Sequence, residues 1–187
     1  MLRLKENERR FFYFALQIMK KLLFILVLYS ATAFGQEKSR KTLKFSIIGE
    51  VEKESVITLD SLKQYTIRPI GDIKVTDHTG AFKHQDEELK GILLKDVLSH
   101  TRFKTPSPKL LSRFYFACTG TDGYTVVYSW NELYNTTVGN QVCIIIEKNG
   151  IKADKMPESL QMTSAGDFKT GRRYLHNLDK IIVSQVQ

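Results

Sequence analysis

The stretch FYFACTGTDGYTVVYSWNEL, Phe114–Leu133, packs two strands, a turn and a helix start into twenty residues. Phe114, Phe116 and Cys118 alternate with other residues at the two-residue period of a strand. Gly120 and the Asp122-Gly123 pair supply a reversal, since glycine tolerates the positive φ of a tight turn. Tyr124–Tyr128 is aromatic and β-branched and reads as the returning strand. Ser129 and Glu132 have capping-box spacing, each side chain placed to bond the other's backbone N–H. In this reading Asp122 and Tyr124 are turn and core residues. Trp130, in the first turn of an amphipathic helix, either packs inward or faces a ligand.

Upstream of this unit, Leu43–Val51 is a first strand, and Ile57–Tyr65 passes from a short strand into helix. Ile67–Thr76 is extended chain, and Asp77–Glu88 is a polar segment with a turn at Thr79-Gly80, then a loop or hairpin. Leu93, Leu94, Val97 and Leu98 have the spacing of a short amphipathic helix. Downstream, Gln141–Glu147 is a buried strand closed by an Asn149-Gly150 turn. Leu160–Thr163 is another short strand, Ser164–Arg173 a glycine-bearing cationic loop, and Tyr174–Val183 the final strand. Short strands in mixed sheets with a few short helices between them predict an α+β fold.

The first 35 residues are set apart. Met19-Lys20-Lys21, the apolar run Leu22–Tyr29 and the small residues Ala33 and Gly35 form a secretory signal pattern, with cleavage before Gln36. The run is shorter than the ~20 residues of a membrane span, the alternative reading. Residues 1–18 precede this signal as an upstream extension. Residues 1–35 are thus an extension plus signal peptide, and 36–187 a single periplasmic or secreted domain without a stable membrane anchor after cleavage. The whole chain carries +8. Its first 35 residues hold six basic and two acidic side chains, leaving the remainder 22 against 18, or +4. That modest charge, with no basic stripe interleaved with aromatics, argues against nucleic-acid binding. Cys118 and Cys143 form a disulfide or pack as two buried thiols; neither has the paired spacing of a zinc or redox motif.

Taken in order, five features resemble the molybdopterin-binding domain of the sulfite oxidase superfamily. They are the strand-turn Ile73–Gly80, the G-x-x-L-x-x-x-L pattern of Gly91–Leu98, the DGY turn at Asp122–Tyr124, the Asn149-Gly150 turn, and the K-x-G-x-R segment from Lys169 to Arg173 with its closing strand. The resemblance runs from Leu43 to Val183 and is nearest to small exported, stand-alone versions of the domain. It implies that fold, a molybdopterin cofactor, and a role for the Lys169–Arg173 region in holding the cofactor's phosphate. Catalytic members bind molybdenum through a cysteine thiolate, and His78 stands where that cysteine is expected. An imidazole supplies neither the charge nor the softness of a thiolate.

His78, Lys169, Arg172 and Arg173 are therefore the candidate cofactor-binding residues, with a small anion as the ligand class. Arginine forks suit phosphate or carboxylate, and Gly171 lets backbone amides approach. Ordinary surface charge beside a strand is the alternative for these cations. His78 and His84 with Asp77, Asp86, Glu87 and Glu88 are metal-capable, but their spacing does not force convergence and no metal site is assigned. Three functions follow as expectations: an exported anion- or pterin-binding protein, a molybdenum-dependent oxidoreductase acting on a small oxoanion or sulfoxide, or an interaction module that has lost the cofactor. Fold resemblance alone does not choose among them.

Overall fold

The computed structural model describes residues 17–21 and 41–187. The chain divides into two units, Met1–Lys38 and Ser39–Gln187. In the first, residues 17–21 are helical and exposed; the signal-peptide features at Leu22–Gln36 lie outside the described residues. Among the described residues no helix is long and apolar enough to cross a membrane.

The second unit holds two five-stranded sheets. The first joins β1 (Lys44–Gly49), β2 (Ser55–Thr58), β5 (Phe114–Gly120), β6 (Thr125–Ser129) and β10 (Leu178–Gln185) in the order β2-β1-β10-β5-β6. β1 and β10 run parallel and the other pairs antiparallel, so the sheet is mixed. The second sheet joins β3 (Arg68–Thr76), β4 (Phe82–Leu93), β7 (Val142–Lys148) and β8 (Ile151–Lys152), with β9 (Gln161–Ser164) also paired to β7. Short helices at Leu59–Leu62, Leu94–Leu98 and Trp130–Tyr134 fill the connections. The expected α+β class with mixed short-strand sheets is what the chain adopts.

Alternation decides which side chains meet. Along β5, Phe114, Phe116 and Cys118 are buried, and along β6 so are Val126 and Tyr128. They join Phe45 and Ile47 from β1, Ile181 and Val183 from β10, and Ile92, Ile144 and Met162 from the second sheet in one apolar cluster. Each such side chain contributes about 1.5–3 kcal/mol on leaving water. β7 is buried on both faces: Val142 and Ile144 enter this cluster, while Ile145 enters a second one with Ile73, Val75, Leu89, Met156 and Tyr174. That double burial explains its unbroken apolar reading VCIII.

The Phe114–Leu133 unit forms as its local chemistry dictates. Gly123 takes φ +81, and Asp122 Oδ1 accepts the Tyr124 N–H at 2.9 Å. Ser129 Oγ accepts the Glu132 N–H at 3.1 Å, and Glu132 Oε2 accepts the Ser129 N–H at 2.8 Å, completing the capping box. Trp130 stacks on Tyr134 with centroids 5.1 Å apart and packs against the main core, which settles its role as an inward residue.

Of the loop and hairpin readings of Asp77–Glu88, the hairpin is the one that forms: β4 runs twelve residues from Phe82, through the polar KHQDEE run, because β3 supplies hydrogen-bonding partners that the side chains alone do not advertise. β10 begins at Leu178 rather than Tyr174, since Asn177 at φ +49 interrupts an extended approach.

Candidate functional site

Three segments distant in sequence meet at one end of the second sheet. The first is the β3–β4 turn. Asp77 Oδ1 accepts the N–H groups of Thr79, Gly80 and Ala81 at 2.8, 2.9 and 3.0 Å, and the Thr79 hydroxyl at 2.6 Å. The Thr79 hydroxyl leads, with the backbone amides adding to it, in holding the Asp77 carboxyl down at about 2. The turn carrying His78 is therefore fixed by its own preceding residue, and the His78 side chain is left exposed.

The second segment is the cationic loop, whose Thr170–Arg173 part is a single 3-10 turn. β3 is the end strand of its sheet, and Thr170 satisfies that edge. Its Oγ1 donates to Lys74 O at 2.7 Å and accepts the Thr76 N–H at 3.1 Å. Gly171 follows, and a Cβ there would lie 1.8 Å from Thr76 O, so only glycine lets the loop approach this closely. The third segment is the DGY turn, where the Tyr124 hydroxyl donates to Arg172 O at 2.6 Å.

These contacts bring His78 and Arg172 together across 94 residues: Arg172 Nε donates to His78 O at 3.1 Å. Lys169 lies alongside, its Cε 3.4 Å from where a Cβ on Gly80 would be. Lys169 and Arg172 are exposed, and among the described residues neither forms an ion pair with a carboxylate.

Arg173 is placed otherwise. Its Nε and Nη2 donate to Asp167 Oδ2 and Oδ1 at 2.7 and 2.6 Å, and Nη1 reaches Glu132 Oε1 at 3.1 Å. The guanidinium also stands 4.7 Å from the centre of the Tyr128 ring. This side chain ties the loop to the capped helix and to β6, and four of its five N–H groups are used within the protein. Behind it, Tyr174 enters a buried network in which Asp86 Oδ2 accepts from the Tyr174 hydroxyl at 2.6 Å and from Lys148 Nζ at 3.4 Å. Lys148 donates on to Gln161 Oε1 at 3.1 Å. The loop is thus anchored at Thr170, at Arg173 and at Tyr174, leaving Lys169 and Arg172 outward between the anchors.

The remaining candidates scatter. His84 is exposed with Nε2 3.5 Å from Asp86 Oδ1, and Asp86 is buried, while Glu87 and Glu88 face solvent. Among the described residues no three His, Cys, Asp or Glu side chains are grouped to hold a metal ion. Cys118 and Cys143 are two free, buried thiols on different sheets. Burial pushes both up to about 12. A groove of about 590 Å³ runs along Gly49, Tyr115 and Ile182–Gln187. It contains none of the candidate residues, and the convergence of charged groups is the better guide to chemistry here. Thr170, Tyr124 and Glu132 were invisible as site residues in the sequence, because each acts through a partner far away or through a common local motif, while Asp167 pairs with Arg173 inside its own loop.

No family model matches the chain, and no curated protein matches it. Among solved structures, the sulfane dehydrogenase SoxCD from Paracoccus pantotrophus superposes with a TM-score of 0.57 at 14% identity. The match covers 79% of this chain and 39% of that one, so this chain spans about two fifths of its neighbour's length. The fold is sulfite oxidase-like. At that identity the likeness carries the fold alone.

The cofactor implied by such a fold meets a divided set of residues. A thiolate-held molybdenum does not fit, because both cysteines face the core as neutral thiols and His78 offers only a nitrogen donor. A phosphate does fit the chemistry of Lys169 and Arg172, which present charge and N–H donors to solvent.

Proposed function

We propose that this chain is an exported anion-binding domain of the sulfite oxidase-like fold. Lys169 and Arg172, positioned against the His78 turn, receive an oxoanion such as the phosphate of a pterin cofactor. The observation that carries this reading is the Arg172 Nε to His78 O hydrogen bond, 3.1 Å across 94 residues, which brings the His78 turn to two cations that have no carboxylate partner among the described residues. Arg172 is held by one nitrogen, so its two terminal nitrogens remain to make the paired bonds that arginine forms with phosphate. Lys169 adds a point charge, and Gly171 keeps the loop backbone close to β3. His78 contributes its carbonyl as the fixed point against which Arg172 is oriented.

Ligand extraction and elemental analysis of protein from its native host test the cofactor form. A bound pterin without stoichiometric molybdenum is the expected result. Finding neither pterin nor molybdenum removes the cofactor form, and stoichiometric molybdenum turns the reading toward the oxidoreductase. Titration with inorganic phosphate, followed through backbone amide resonances of residues 169–172, tests the oxoanion site itself. Equal binding by wild type and by Lys169→Ala/Arg172→Ala would refute it.

A further inference from the structure

The end of the domain that carries Arg172 also leaves two phenylalanines in water. Phe168 is 102% exposed and Phe82 65% exposed, in a class of side chain that folding usually buries. They lie on adjoining segments. Phe82 pairs with Thr76 across the β3–β4 hairpin, the Thr76 N–H donates to Thr170 Oγ1 at 3.1 Å, and Phe168 stands two residues before Thr170.

The same segments carry Lys74, Lys83, Lys169 and Arg172, all exposed and, among the described residues, none paired with a carboxylate. Of the acidic groups at this end, Asp167 is paired with Arg173, while Asp77 and Asp122 keep their charge with oxygens engaged by their own turns, and Asp72 is exposed two residues before Lys74. Four cations against these three carboxylates leave a net positive charge, beside two exposed aromatic rings.

We infer that this end docks the domain on an anionic lipid bilayer. Phe82 and Phe168 enter the boundary between headgroups and acyl chains, while Lys74, Lys83, Lys169 and Arg172 hold headgroup phosphates. A rigid protein partner would have to offer a shaped pocket to each ring, whereas a bilayer accepts projecting rings at any spacing. Several weak phosphate contacts made at once give a strength that no single free anion can reach on an open surface. For Lys169 and Arg172 the inference rests on the oxoanion reading above; to it are added the phenylalanines, two further lysines and the source of the phosphate.

The test is co-sedimentation of the full chain with vesicles of phosphatidylcholine alone, and of phosphatidylcholine mixed with phosphatidylglycerol. Wild type, Phe82→Ser/Phe168→Ser and Lys169→Ala/Arg172→Ala are compared, so contributions from the rest of the chain cancel. Wild type is expected to prefer the anionic vesicles, with preference falling as salt rises. Each double variant should lose about tenfold in partitioning while keeping the wild-type melting temperature. Equal partitioning of wild type and both variants overturns the inference. So does capture by polyglutamate with the same variant losses while vesicles are ignored, which would mark an acidic protein as the partner. Binding of inorganic phosphate with no preference for anionic vesicles removes the bilayer and leaves the oxoanion site standing; loss of both removes both.

Discussion

Arg172 and Arg173 are neighbours in sequence and opposites in use. Arg173 spends its guanidinium on Asp167 and Glu132 and lies over the Tyr128 ring. Arg172 is exposed and gives one nitrogen to the His78 carbonyl. In a 3-10 turn, successive side chains point about 120° apart, so adjacent residues face different surroundings. The pair shows how one loop is built: a cation facing inward holds it to the scaffold, and the next faces out to meet a ligand.

Removing the inward cation has the largest expected effect. Arg173→Ala leaves Asp167 and Glu132 without their partner, and loss of one member of a buried pair costs about 3–5 kcal/mol. The Arg173 side chain is 21% exposed, which lowers the expectation to about 2–3 kcal/mol. Urea unfolding measures it, and an unchanged midpoint would show that Arg173 anchors nothing. Gly171→Ala comes next, at about 1–3 kcal/mol for overpacking, because the new methyl meets the Thr76 carbonyl oxygen at 1.8 Å. It should also weaken phosphate binding, since the loop carrying Arg172 has to move away from β3. Wild-type stability in this variant would mean that the loop does not lie against the strand.

The outward side depends on the His78 turn, and Asp77 gives that turn a pH signature. Its folded carboxyl sits at about 2 against an ordinary 3.8. A depressed folded value means the stabilisation is present above the unfolded value and is lost as pH falls through the folded one. The Asp77 carboxyl carbon resonance should therefore titrate with a midpoint at about 2, and the Gly80 and Ala81 amides should shift with it. A midpoint at the ordinary value would show that the turn is not held by its aspartate.

Where recognition was local, the sequence could be read. The Ser129–Glu132 box, the Asp122-Gly123 turn and the buried run at Val142–Ile145 each depend on residues within a few positions, and each stands as expected. The Cys118 and Cys143 alternatives stayed open because strand spacing does not reveal which sheet a thiol joins; they lie on different sheets, free and buried. Asp86 was read within an acidic, metal-capable cluster, yet it is buried against Tyr174, 88 residues on. Tyr124 read as part of a turn and core, while its hydroxyl reaches the Arg172 carbonyl across 48 residues. Nothing in the GRR tripeptide separates Arg172 from Arg173, because the distinction lies in Asp167, at the other end of the same loop, and in Glu132 on the capped helix.

The most direct test of that distinction is phosphate affinity measured beside stability in the two arginine variants. Arg172→Ala should bind phosphate about tenfold more weakly and unfold within about 0.5 kcal/mol of wild type. Arg173→Ala should show the reverse, with its folded fraction binding within about threefold of wild type. Wild-type phosphate affinity in Arg172→Ala, or a stability loss there as large as in Arg173→Ala, would contradict the division of labour between them.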